Sequence, residues 1–157
     1  MLYQTTLRKP IFCSGIGLHS GLTTRMNIRP AAPDTGIVFI RQDLEKKVRI
    51  RAHIDNVIDA TLATTIGQEG VKVSTVEHLM AAFAGVGVDN AEVELDAPKV
   101  PIMDGSSEPF NALLKNAGIQ VYADTVLNHR MGADTAETCN ATPYPRGDRQ
   151  SQEYCGL

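Results

Sequence analysis

Alternation of apolar and polar residues is the feature that most restricts what this chain can fold into. Segments 23–29 and 48–54 both place an apolar residue at every second position, which is the period of a strand with one buried face. Further strands are expected at 36–41, 61–67, 71–73 and 91–95. A sheet with one apolar face needs a second layer to cover it.

Two segments carry the period of a helix instead. The first has a single apolar stripe made of Val76, Leu79, Met80 and Phe83. Ser74 precedes it as the expected N-cap, with Glu77 three residues on, which is the spacing of a capping box. The second follows Ser106 and Ser107, has Pro109 in its first turn, repeats the stripe with Phe110, Leu113, Leu114 and Ala117, and stops at Gly118. We therefore predict an α+β fold, a two-layer sandwich of a mainly antiparallel sheet packed on two helices.

The alternation stops after Tyr122. Residues 123–157 contain no Val, Leu, Ile or Phe other than Val126, Leu127 and Leu157, which is too little apolar material for a separate core. We expect a folded domain over residues 1–122 and an irregular tail of low hydrophobicity over residues 123–157. A chain of 157 residues is also too short for two full catalytic domains.

Composition excludes several classes of protein. The formal net charge is -3, which argues against a nucleic acid partner. No stretch of about 18 apolar residues could span a bilayer, and residues 1–10 lack the pattern of a secretory signal. The cysteines Cys13, Cys139 and Cys155 are odd in number and widely spaced, so reduced thiols are expected. These features together predict a cytoplasmic protein without stable membrane insertion.

Charge is divided unevenly along the chain. Residues 1–54 hold nine basic and three acidic residues, a balance of +6, and residues 55–122 hold three basic and ten acidic residues, a balance of -7. Two interpretations remain open: solvated groups on opposite faces of one domain, or a basic wall that binds an anionic substrate.

Glu77 and His78 are the residues that most suggest chemistry. On a helical wheel Glu77 lies about 100° and His78 about 200° from the centre of the apolar stripe, so His78 points away from the helix's own core. An outward imidazole beside a carboxylate can bind a metal while the carboxylate accepts a proton from water. The alternative is structural, because a glutamate belongs in a capping box and an outward histidine is often only solvated.

The remaining histidines do not complete a metal site on paper. His19 lies in a glycine-rich turn, residues 15–21, and His53 falls on the polar side of a predicted strand. His129 and Asp134 are five residues apart, a spacing that points them in different directions on a helix. Segment 101–107 is the better candidate for a ligand site. Asp104 and Gly105 form a turn before the second helix, and this turn could present a carboxylate and backbone N–H groups to a ligand.

Four motifs, taken in order, resemble a known family: Gly-Ile-Gly-Leu-His-Ser-Gly at 15–21, Arg-Pro-Ala at 29–31, Ser-Thr-Val-Glu-His-Leu at 74–79 and Pro-Ile-Met-Asp-Gly-Ser at 101–106. The family is that of the UDP-3-O-acyl-N-acetylglucosamine deacetylases, and the resemblance runs from about Leu7 to Ile119. Its members are cytoplasmic zinc hydrolases of Gram-negative bacteria that remove acetate from a UDP-linked acyl-glucosamine in the committed step of lipid A synthesis.

This resemblance implies two similar α+β domains that face each other, of which the chain carries the first. It implies that Glu77 is the general base and that His78 is the first ligand of Zn²⁺. The other ligands, a histidine and an aspartate, the histidine that acts as general acid and the passage for the acyl chain belong to the family's second domain. Candidate substrate-binding residues near the cleft are His19, Leu62, Ala63 and Asp104. The expected partners are the UDP-linked acyl-N-acetylglucosamine and a second deacetylase domain.

Residues 123–157 do not resemble that second domain, so we expect half of an active site. Two further interpretations are a catalytically inert fragment and a non-catalytic domain. The latter would bind a nucleotide-sugar or a protein through the face that the second domain normally covers.

Overall fold

A computed structural model describes residues 3–18 and 21–126. Within them lie ten strands, two α-helices and one 3₁₀ turn. The strands are β1 (Tyr3–Leu7), β2 (Ile11–Ile16), β3 (Thr23–Pro30), β4 (Ile37–Arg41), β5 (Arg49–Arg51), β6 (Val57–Asp59), β7 (Thr65–Gln68), β8 (Val71–Ser74), β9 (Ala91–Leu95) and β10 (Ile119–Val126). The helices are α1 (Glu77–Val86) and α2 (Glu108–Ala117), and the 3₁₀ turn is Ile54–Asn56.

The described strands form three sheets. The largest has five strands in the order β2-β3-β9-β4-β5, and within it only the pairing of β4 with β9 is parallel. Strand β1 pairs with β10, and β6, β7 and β8 form a three-stranded sheet. The predicted α+β class is confirmed, with antiparallel pairing dominant.

Both helices pack on the inner face of the five-stranded sheet. The stripes predicted from the sequence are buried, with Leu79, Ala82 and Phe83 of α1 and Phe110, Leu114 and Ala117 of α2 in the core. They meet the inward residues of the sheet, which include Met26, Ile28, Phe39, Ile50, Val93 and Leu95. Burial of each large apolar side chain contributes about 1.5–3 kcal/mol, so this layer contact carries most of the stability of the domain.

Charged side chains cover the outer face of the same sheet. Glu92 on β9 contacts Arg29 on β3 at 2.6 Å and Arg49 on β5 at 2.7 Å. Beneath them Val38 and Ile40 of β4 are almost fully buried. Basic residues of the first half of the chain and acidic residues of the second half therefore pair on one face. Of the two interpretations left open for the charge division, opposite faces do not describe these residues.

The strand expected over 48–54 is shorter in the structure. Strand β5 ends at Arg51, and His53 then caps the 3₁₀ turn by accepting a hydrogen bond from the N–H of Asp55 at its Nδ1, over 3.3 Å. Ile54, expected to be buried, is 75% exposed because the turn carries it off the sheet. His53 is exposed, as predicted.

Strand β10 continues four residues beyond the boundary predicted at Tyr122, because it pairs with β1 as far as Val126. Residues 127–157, which contain His129, Asp134, Cys139 and Cys155, lie outside the described residues. Cys13 is half-buried and free, as expected of a reduced thiol, and burial raises the pKa of that thiol. In the described part of the chain, no helix is long and apolar enough to cross a bilayer.

Candidate active site

The chain turns sharply at Thr75, between β8 and α1. Thr75 has a φ of 63°, a left-handed conformation that a β-branched residue rarely adopts, and it is 2% exposed. Ser74, just before it, is fixed by two backbone hydrogen bonds, from its N–H to Pro98 O at 2.9 Å and from Val100 N–H to its own C=O at 3.0 Å. Backbone strain that surrounding bonds maintain occurs preferentially at functional sites.

The capping box predicted from Ser74 and Glu77 does not form. Ser74 ends β8, and its hydroxyl accepts a hydrogen bond from the Thr65 hydroxyl at 3.0 Å. Helix α1 instead begins at Glu77, and the partner of its first turn is Thr64. The Thr64 C=O accepts from Val76 N–H at 3.3 Å, and the Thr64 N–H donates to Oε2 of Glu77 at 3.0 Å. Thr64, a residue outside the helix, therefore supplies the N–H that the capping box would have taken from Ser74.

Glu77 and His78 lie together in the first turn of α1, and both are half-buried. Within residues 3–18 and 21–126, Oε1 of Glu77 has no hydrogen-bond donor, and the ring of His78 has no hydrogen-bond partner. The core-facing residues of the helix are Leu79, Ala82 and Phe83, so His78 lies off the core as the wheel predicts. One carboxylate oxygen and one imidazole are thus available to a ligand.

Asp104 lies in the loop that precedes α2. Its Oδ1 accepts hydrogen bonds from the hydroxyl and the N–H of Ser106, at 2.8 and 2.9 Å. These bonds lower the pKa of Asp104, and the nearby charge of His78 lowers it further. The fold therefore brings an ionised Asp104 within electrostatic reach of His78, although the two are 26 residues apart in sequence.

The glycine-rich segment packs against the same loop. Gly17 forms a bridge with Pro101, and Ile102 N–H donates to Ile16 O at 3.0 Å. A Cβ added at Gly15 would lie 3.0 Å from the Cβ of Pro101, so this glycine permits close contact. Gly15 belongs to β2, which corrects its assignment to a turn. His19 lies outside the described residues.

A small cleft of about 140 Å³ opens beside the Thr75 corner. Its walls include Leu62, Ala63, Ser74, Thr75 and Lys99. Leu62 is 84% exposed and Ala63 is half-buried. The Nζ of Lys99 donates to Leu18 O at 2.6 Å and so ties the glycine-rich segment to this cleft.

Sequence reasoning missed three residues at this site: Thr64, Thr75 and Lys99. Thr64 acts through its backbone, which leaves no signature in residue type. Thr75 is β-branched, and β-branched residues rarely adopt a left-handed backbone, so residue type would not predict the turn that it makes. Lys99 lies two residues before Pro101, where the 101–107 motif begins, and this position was the one signal that could have pointed to it.

No metal site is complete in the described residues, because they contain no group of three or more His, Cys, Asp or Glu side chains able to hold an ion. The chemistry of the donors nevertheless suits one ligand position at His78. A catalytic zinc needs about three protein ligands.

Comparison with known proteins now decides the family. A sequence profile described as UDP-3-O-acyl N-acetylglycosamine deacetylase (LpxC) matches residues 4–144. This chain belongs to the LpxC family. The resemblance drawn from the four motifs is confirmed, and the match extends past Ile119 into the segment set apart as a tail.

Curated relatives agree with this assignment. The UDP-3-O-acyl-N-acetylglucosamine deacetylase of Myxococcus xanthus (strain DK1622) is 56% identical over 117 residues, which cover 74% of this chain and 37% of the relative. The protein of the same name from Syntrophotalea carbinolica (strain DSM 2380 / NBRC 103641 / GraBd1) is 53% identical over 121 residues, covering 77% of this chain and 39% of the relative. The LpxC-family chain thus spans about two fifths of the length of these relatives.

Proposed function

We propose that this chain supplies one side of the active site of a zinc-dependent deacetylase. Its substrate would be UDP-3-O-acyl-N-acetylglucosamine, and its products acetate and the UDP-linked acyl-glucosamine, with the reaction taking place in the cytoplasm. The observation that carries the proposal is the first turn of α1, where Glu77 and His78 lie off the core and Oε2 of Glu77 is held by the Thr64 N–H. Family membership supports this reaction, and the coverage of about two fifths of the relatives is consistent with a second domain that supplies the rest of the site.

Glu77 is proposed as the general base. Its Oε1 is free to accept a proton from the attacking water, and half-burial strengthens the interaction of its charge with that water. Asp104, on the loop before α2, is proposed as a substrate-binding residue. Leu62 and Ala63 would form an apolar wall against the substrate, and His19 is proposed as a further substrate-binding residue.

His78 would hold the metal as one ligand of several. A bound zinc ion supplies a Lewis acid that lowers the pKa of water and polarises the amide carbonyl. The remaining ligands and the acid that protonates the leaving amine would come from the second domain. Because metal affinity depends on several ligands in fixed geometry, the chain alone should bind zinc weakly and show little turnover.

The test is acetate release and zinc content with purified chain 1–157, alone and mixed with the remaining portion of the Myxococcus xanthus relative. We expect no activity from the chain alone and activity from the mixture. Glu77→Gln should reduce that activity to a small residual rate while folding is retained, and Glu69→Gln, at an exposed glutamate outside the site, should leave it unchanged. Stoichiometric zinc or turnover in the chain alone would contradict the half-site, and an inactive mixture would contradict the function.

One observation favours a second candidate, a non-catalytic binding domain. Ile16, Leu22 and Leu62 are all largely exposed although apolar. Ile16 lies in the glycine-rich segment, Leu22 directly follows it, and Leu62 lines the cleft. Exposed apolar residues of this kind mark surfaces that a partner covers. Binding of the second domain without acetate release by the mixture would support this function over the enzymatic one.

A further inference from the structure

We propose that Thr64 is the positioning residue for the catalytic base, and that its backbone N–H holds Oε2 of Glu77 so that Oε1 takes the proton. This inference rests on the proposed function, because it assigns roles to the two oxygens of the same carboxylate. It concerns a residue that takes part through its main chain alone.

The first support is the pair of hydrogen bonds that Thr64 makes to the start of α1. Its C=O accepts from Val76 N–H at 3.3 Å, and its N–H donates to Glu77 Oε2 at 3.0 Å. Because one residue bonds to two adjacent positions, it fixes both the backbone direction at the start of α1 and the orientation of the Glu77 side chain. A glutamate has three rotatable side-chain bonds, and a bond at its end removes most of that freedom.

The second support is the difference between the two carboxylate oxygens. Oε2 is occupied by the Thr64 N–H, whereas no residue of 3–18 or 21–126 donates to Oε1. A backbone N–H is a neutral donor, so it orients the carboxylate without cancelling the negative charge that proton transfer needs. Orientation set before the substrate arrives lowers the barrier, since the cost of ordering is met in folding.

The third support is the place of Thr64 in the chain. It directly follows Leu62 and Ala63, which line the cleft, and it directly precedes β7. The donor is therefore carried by the cleft wall itself and anchored by the three-stranded sheet. A shift of that wall would move the donor and with it the base.

The kinetic test replaces the amide between Ala63 and Thr64 with an ester, by incorporating the α-hydroxy analogue of threonine at position 64. This removes the N–H and leaves the C=O that Val76 uses. In the mixture with the second domain, we expect kcat to fall about 10- to 100-fold with KM changed less than about twofold, since a misplaced base affects only the chemical step. The same ester at Gln68, the last residue of β7, is the matched control and should change neither constant by more than about twofold.

A double-mutant cycle separates positioning from a general structural effect. In the Glu77→Gln background the Thr64 ester should lower the residual kcat by less than about twofold, because the group that it positions is already gone. An ester that acts equally in both backgrounds would overturn the positioning role. An unmodified mixture with no activity would overturn the proposed function first, and this role with it.

A measurement without catalysis tests the contact itself. Amide hydrogen exchange of chain 1–157 by NMR should quicken at least about 10-fold at Thr64 in Glu77→Ala, while Ile66 of β7 keeps its rate. Glu77→Gln, whose amide oxygen can still accept, should give a smaller change. Unchanged exchange at Thr64 in Glu77→Ala would refute the hydrogen bond and therefore the proposal.

Discussion

Ser106 controls the ionisation of Asp104 at the edge of the candidate site. Its hydroxyl makes the bond that lowers the pKa of Asp104 most, and its N–H adds to that effect. Because the carboxylate of Asp104 is favoured in the folded state, its contribution to stability is present above the pKa of the unfolded chain. That contribution is lost as the pH falls through the lowered folded pKa.

Ser106→Ala should therefore raise the pKa of Asp104 toward the ordinary aspartate value and move the loss of this contribution to higher pH. The measurement is a carboxyl ¹³C NMR titration of Asp104. Ser107→Ala is the matched control, because Ser107 precedes α2 without a side-chain capping bond. An unshifted titration in Ser106→Ala would mean that the hydroxyl is not the main cause.

Residue identity predicted the side on which Glu77 and His78 stand, but not what holds them. The wheel gave the orientation correctly because it depends only on the 3.6-residue period. The partner of Glu77 could not be predicted, since Thr64 is 13 positions earlier and donates from its backbone. Ser74 and Glu77 have the spacing of a capping box, but the Glu77 carboxylate accepts from the distant Thr64 N–H and not from Ser74.

At the level of elements, two glycines of α1 have opposite roles. Gly85 lies inside the helix, and a Cβ there would meet nothing closer than the Asn111 side chain at 3.9 Å. Gly87 caps the helix with a φ of 79°, in the left-handed region. Adding a methyl group at these two positions should therefore change the free energy of unfolding in opposite directions, although both have open space around them.

Gly85→Ala should stabilise the domain by about 0.5–1 kcal/mol, because alanine loses less conformational entropy in a helix interior. Gly87→Ala should destabilise it by about 1–2 kcal/mol, because an L-residue is strained in the left-handed region. Urea unfolding of both variants, with the two midpoints compared, checks the pair. Equal shifts in one direction would contradict the roles assigned to the two glycines.

Strands were predictable where one face alone is buried. In β3 and β9 every second residue is buried, and the alternation located both to within a residue. Strand β2 was missed because Phe12 and Ile16 are exposed on its outer side, which obscures the alternation. Its glycine suggested a turn, whereas in the structure it permits the close approach of Pro101.

For the whole molecule, Asn90 connects parts of the chain that are far apart in sequence. Its side chain accepts from Gly36 N–H at 2.9 Å and donates to Gln4 Oε1 at 2.9 Å and Thr5 O at 3.2 Å. It is 1% exposed. One amide thus links β1, of the two-stranded sheet, with the starts of β4 and β9 in the five-stranded sheet.

Asn90→Ala should destabilise the domain by roughly 2–4 kcal/mol, because it removes all three hydrogen bonds of a buried side chain and leaves the half-buried Gly36 N–H without its partner. Asn116→Ala, at an exposed position of α2, should change stability by less than about 0.5 kcal/mol. Chemical denaturation of both variants measures the difference. A loss below about 1 kcal/mol in Asn90→Ala would mean that water replaces the missing bonds.

The arginines on the outer face of the sheet have a consequence for the chain before it folds. Ile37–Ile40 is a run of four apolar residues with strong strand propensity, and in the folded domain it is shielded on one side by Arg49 and its ion pair with Glu92. An unfolded chain exposes this run as a segment prone to β-aggregation. Arg41 directly follows this run and places a positive charge where neighbouring chains would stack. Arg49 adds a like charge in the unfolded chain, so a residue that covers β4 after folding also opposes aggregation before it.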